Sequence, residues 1–159
     1  MKLDAVQEKL LDLFIKQELL ICALYKHFAR RYHEHKTYWS GMAIEEFRHA
    51  ALLKRIADTD SLNKFKFVQG ELRTINLTSS VEYIEGIISE FKCNKKLPIT
   101  HAVSVALQIE KGLWERKVFQ YFVGDSDDVV KVLHSLDQEI GVHIQNLDNF
   151  GFQFLEKKH

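Results

Sequence analysis

A single proline, Pro98, and seven glycines leave few points in 159 residues at which a helix is forced to stop. The apolar residues exploit that freedom. From Leu3 to about Arg30 they recur at helical spacing, at Val6, Leu10, Leu13, Ile21, Leu24 and Phe28, which marks one buried face of a long helix over about 3–30. After the polar stretch "RRYHEHK" a second helix is expected over about 37–57. The segment at about 58–78 has no clean period and reads as a connector. Ser79 followed by Glu82 matches a capping box and predicts a short helix over about 79–91. "CNKKLP" interrupts the chain again, with Pro98 placed as in a first helical turn. Helices follow over about 99–123 and 126–155, separated by Gly124 as a stop and the run Asp125–Asp128 as turn and N-cap. No strand pattern of period two emerges. One domain spanning 1–159 is expected, of all-α class. It is a four-helix bundle with a long second-to-third crossover that contains a short extra helix.

Acids interrupt the apolar stripes. The first helix presents Leu11, Phe14, Ile15, Glu18, Ile21, Cys22, Tyr25 and Phe28 on one face. The second carries Glu46 and His49 among Met42, Ala43, Ala50 and Leu53. The third long helix carries Glu110 among Val103, Ala106, Leu107, Leu113 and Trp114. The last carries Glu139 and His143 among Val132, Leu136, Leu147 and Phe150. The chain therefore reads as two copies of a helical hairpin. In each copy one glutamate is followed by a glutamate–histidine pair. In an antiparallel hairpin, groups at equal height flank a turn at their sequence midpoint. That midpoint is Tyr32 for Glu18 and Glu46, and Gly124–Asp125 for Glu110 and Glu139. Both fall at turn chemistry, so the four carboxylates can meet at one level.

Ionised carboxylates gathered in an apolar core are opposed by desolvation and by one another. Divalent cations remove both objections. Two such ions balance four carboxylates, with two neutral imidazoles completing the donor set. Oxygen-rich ligation with a little nitrogen suits iron or manganese better than zinc. The candidate metal ligands are Glu18, Glu46, His49, Glu110, Glu139 and His143, and the expected cofactor is two iron ions, with manganese as the alternative. No residue beyond these ligands is expected to be catalytic. Glu45, Glu115 and Asp137 fall off the stripes and read as solvent-facing charges. His33 and His35 read as part of a solvated turn, and Cys22 as a small buried apolar residue.

Twenty-two basic residues balance twenty-two acidic ones, and no basic run interleaves with aromatics, so no nucleic-acid partner is expected. No apolar run approaches a membrane span. The opening "MKLDAVQEKL" is charged where a signal peptide is apolar. The two cysteines form no paired motif, as suits a reducing cytoplasm.

"AIEEFRHAALL", "QELLICALY" and "ALQIEKG" resemble the second, first and third helix motifs of ferritin-like proteins of the rubrerythrin type. The resemblance covers most of the chain outside the connector. It implies a di-iron carboxylate site, oxidoreductase chemistry with oxygen or peroxide or the oxidation of ferrous iron, and a homodimer. Three features depart from that pattern. Glu139 and His143 stand four apart in "EIGVH" rather than three, a difference that a one-residue bulge near Gly141 can absorb. Leu113 stands where rubrerythrins have a further glutamate. No cysteine-paired rubredoxin-like tail is present, so electrons must come from an external donor. The rival reading is a non-catalytic protein that keeps the bundle as a metal sensor, carrier or interaction module. A storage cage is a third.

Overall fold

A computed structural model of the chain describes residues 5–58, 65–67, 74–115, 122–124 and 127–156. In chain order these form α1 (Ala5–Arg31), a 3-10 turn (His33–His35), α2 (Lys36–Asp58), β1 (Phe65–Phe67), α3 (Thr74–Cys93), α4 (Ile99–Glu115), β2 (Phe122–Gly124) and α5 (Asp127–Glu156). The fold is all-α. Its β content among the described residues is one antiparallel ladder, with Phe65, Lys66 and Phe67 opposite Gly124, Val123 and Phe122.

α1 lies along α2 and against α3, α4 lies along α5, and α2 meets α5. The apolar stripes account for these contacts. Phe14, Ile21, Leu24 and Phe28 of α1, Leu53 of α2, Leu77 and Ile84 of α3, Ala106 of α4 and Leu136 and Leu147 of α5 are all buried in one cluster. Near the α1–α2 turn the cluster is aromatic. Phe28 meets Trp39 at a centroid distance of 4.9 Å and Phe91 at 4.7 Å, both edge-on. Phe150 meets Trp39 at 5.6 Å and stacks on Tyr38 at 3.8 Å. Such ring pairs favour tilted and offset geometries, because the ring edge is positive and its face negative.

The same end is tied by Arg31. Its guanidinium donates to the carbonyls of Phe91, Asn94 and Leu97 at 3.0, 2.9 and 3.0 Å, and Tyr32 Oη donates to Leu97 as well, at 3.0 Å. These carbonyls lie at the end of α3 and in the link to α4, where a helix has no further N–H groups to offer them.

Two local expectations give way. α3 starts at Thr74 rather than near residue 79, so Ser79 and Glu82 lie inside the helix and form no capping box. Leu77, Val81, Ile84 and Phe91 are buried along its inner face. That burial outweighs the weak helix preference of "NLTSS". α4 is described over Ile99–Glu115, and residues 122–124, expected at the end of that helix, pair with part of the expected connector instead. The sequence "FVG" is aromatic, β-branched and small, and fits a short strand better than a helix end. α5 runs as a regular α-helix through Gly141, so no bulge there absorbs the four-residue spacing of Glu139 and His143.

Candidate metal centre

Glu18 faces inward because Phe14, Ile21, Cys22 and Tyr25, which share its stripe, are buried. The same holds for Glu46 and His49 between Met42 and Leu53, for Glu110 between Ala106 and Leu113, and for His143 between Leu136 and Leu147. Glu18, Glu46, His49, Glu110 and His143 are each exposed by 2% or less. Four helices thus bring five of the six predicted residues together in one polar layer inside an apolar core.

The layer contains two donor groups that share a member. Ligand-type atoms of Glu18, Glu46 and His49 lie within 4.8 Å of one another, as do those of Glu46, Glu110 and His143. His49 Nδ1 is 3.4 Å from both Glu18 Oε2 and Glu46 Oε2. His143 Nδ1 is 3.0 Å from Glu46 Oε1 and 3.7 Å from Glu110 Oε1. The two imidazoles face each other at 5.5 Å with planes 24° apart. Tyr25, fully buried, donates its hydroxyl to Glu110 Oε1 at 2.7 Å and fixes that carboxylate from behind.

The sixth predicted residue stands elsewhere. Glu139 joins neither donor group. Its Oε2 accepts from His49 Nε2 at 2.7 Å and from Arg48, and its Oε1 accepts from Ser135 Oγ at 3.2 Å. Glu45 is half-exposed, as expected, yet its Oε2 sits 2.5 Å from His143 Nε2. Sequence reasoning missed this role, although Glu45 precedes its helix's histidine by the same four residues as Glu139 does. Gln17, also missed, is buried beside Glu18 and accepts from Ser80 Oγ at 2.7 Å. His33 and His35 join no donor group among the described residues, and the His35 ring lies edge-on to Phe150.

Electrostatics follow from burial. Desolvation raises Glu18 and Glu110 above the usual carboxylate range, and the Glu46 charge adds to both shifts. Burial opposes ionisation of Glu46 too, but His143 and His49 outweigh it and hold Glu46 down. Burial likewise disfavours imidazolium, yet the carboxylates of Glu18 and Glu46 push His49 up to about 10, and those of Glu110 and Glu46 push His143 up to about 11. Desolvation raises the Tyr25 hydroxyl well above its normal value, so it stays a donor. Burial also raises the Cys22 thiol, which keeps it from thiolate chemistry.

Protons therefore balance the charge in the metal-free chain. The balance is incomplete in hydrogen-bond terms. Glu18 Oε1, Glu46 Oε1 and His143 Nδ1 are buried and make no hydrogen bond of good geometry among the described residues. Buried polar atoms are seldom left so. All three belong to the donor groups, and a divalent cation satisfies such atoms directly. The donor chemistry, three carboxylates and two imidazoles, fits a hard-to-intermediate ion. Among the described residues no helix is long and apolar enough to cross a membrane. Comparison with known family models, curated proteins and solved structures finds no match to the chain.

Proposed function

We propose that the chain is a ferritin-like di-metal carboxylate protein that binds two iron ions, with manganese as the alternative, and acts as an oxidoreductase. The observation that carries this reading is the pair of buried donor groups sharing Glu46, with unsatisfied donor atoms in both. Glu18, Glu46 and His49 hold one ion, and Glu46, Glu110 and His143 hold the other. When bound, such a pair of ions would supply redox chemistry toward oxygen or peroxide, with either oxidant taking electrons from the bound ions or, through them, from further ferrous iron. The chain's own residues set the conditions. Tyr25 anchors Glu110, the α1, α2, α4 and α5 side chains exclude bulk water, and the imidazoles give up their protons as cations enter. In this reading electrons come from a separate donor, and the protein works as a cytoplasmic homodimer in the manner of the family it resembles.

The test is metal analysis of the full chain after anaerobic loading with ferrous iron, followed by absorbance on adding peroxide or oxygen. Two irons per chain and a fast oxidation band that recurs with fresh reductant are expected. Two irons that oxidise once and never turn over favour a second reading, a non-catalytic metal-binding protein. That reading draws support from the donor set itself, which gathers three carboxylates in the layer rather than four. Absence of bound metal overturns both.

A further inference from the structure

Each histidine of the centre is held from outside by a carboxylate of the opposite helix. His49 of α2 uses Nε2 on Glu139 of α5 at 2.7 Å, and His143 of α5 uses Nε2 on Glu45 of α2 at 2.5 Å. Both rings turn Nδ1 to the interior. The sequence repeats this crossing. "EEFRH" and "EIGVH" align on their histidines, which sets Glu139 against Glu45 and Ile140 against Glu46. A helix turns about 100° per residue, so one position decides whether a side chain enters the layer or borders it. Because α5 is regular through Gly141, no bulge moves Glu139 inward. Ile140 takes the inward place and is 2% exposed. Glu139 has little capacity left in any case, with Oε2 accepting from His49 and Arg48 and Oε1 from Ser135.

We infer that Glu45 and Glu139 are a matched pair of positioning residues that lock the two histidines across the α2–α5 contact, and that Glu46 alone spans the two metal positions, its counterpart being Ile140. This rests on the di-metal reading and deepens it. An acceptor on Nε2 keeps the proton there and leaves the Nδ1 lone pair for a cation. It also fixes the ring plane and makes the imidazole a stronger donor. Loss of such an outer partner typically weakens metal binding by about 10–100-fold.

The experiment is a calorimetric titration of the metal-free full chain with manganese(II), paired with histidine N–H resonances in labelled protein. The native chain takes up two ions. Glu139→Ala and Glu45→Ala still take up two, each with affinity lowered by about 10–100-fold. Glu139→Gln recovers most of the loss, because its amide oxygen still accepts from Nε2–H, and this variant decides the matter should the alanine variant fold poorly. In the metal-free protein, Glu139→Ala displaces the His49 Nε2–H resonance and Glu45→Ala that of His143. Loss of one ion in Glu139→Ala makes Glu139 a ligand and overturns this inference alone. Unchanged affinity together with unchanged imidazole resonances does the same. A native chain that takes up no ion overturns the di-metal reading beneath it, and this inference with it.

Discussion

At 1% exposure, Glu46 stays ionised because two imidazoles face it, with a smaller contribution from its hydrogen bond with Glu18. No other side chain belongs to both donor groups. Glu46→Gln keeps the volume and removes the charge, so it is expected to abolish uptake at both positions. Glu18→Gln and Glu110→Gln should each leave one ion in place. Metal analysis after desalting separates the two outcomes, and a Glu46→Gln protein that keeps one ion refutes the shared role. Glu18, Glu46, Glu110 and the histidines were legible in the sequence because an acid or imidazole in an apolar stripe needs a partner. Glu45 was not, because an exposed acid on a helix looks like every other exposed acid. The difference between Glu139 and Ile140 was equally hidden. Both sit near the same stripe, and only the regularity of α5 decides which one enters.

Among the elements, α1, α2 and α5 were readable from apolar periodicity, while the stretch between α2 and α4 was not. α3 is long because Leu77 joins the buried core cluster and the helix packs against α1, a tertiary gain that no local preference in "NLTSS" announces. The β1–β2 pair joins segments far apart in the chain, and three-residue strands are too short to show a period. Arg31 is the device that joins α1 to the α3–α4 link. Arg31→Ala removes three charge-assisted hydrogen bonds and the guanidinium that lies over the Phe91 ring. Part of that is recovered by water, so a loss of roughly 2–4 kcal/mol is expected. Arg31→Lys should recover only a minor share, since an ammonium cannot reach three carbonyls in a fork. Urea unfolding measures both, and a loss below about 1 kcal/mol for the alanine variant refutes the tie.

For the whole molecule, the buried layer dictates how stability depends on pH. Glu18, Glu110, His49 and His143 all hold protons more tightly folded than unfolded. The folded metal-free chain therefore binds more protons from about the ordinary carboxylate value of 4.5 up to about 8 for Glu18, and on through about 10 and 11 for the histidines. Stability falls as pH rises across that window. Glu46 and Glu139 act oppositely, but their contribution is complete above the ordinary value and is lost only in stronger acid. Cations that replace the protons reverse the trend, because binding then becomes easier as pH rises. Between about pH 6 and about pH 9 the metal-free Tm should drop by roughly 5 °C or more, while the rise in Tm on adding manganese(II) should grow. A metal-free Tm that climbs over the same interval contradicts the charge balance described for the layer. Trp39 offers a way to watch that layer directly. Its indole lies 5.6 Å from the Tyr25 ring, whose hydroxyl bonds Glu110. A paramagnetic ion arriving beside Glu110 should therefore dim the emission of this tryptophan, and the dimming that Trp39→Phe removes should measure its share, giving the protein a built-in optical gauge of its own loading.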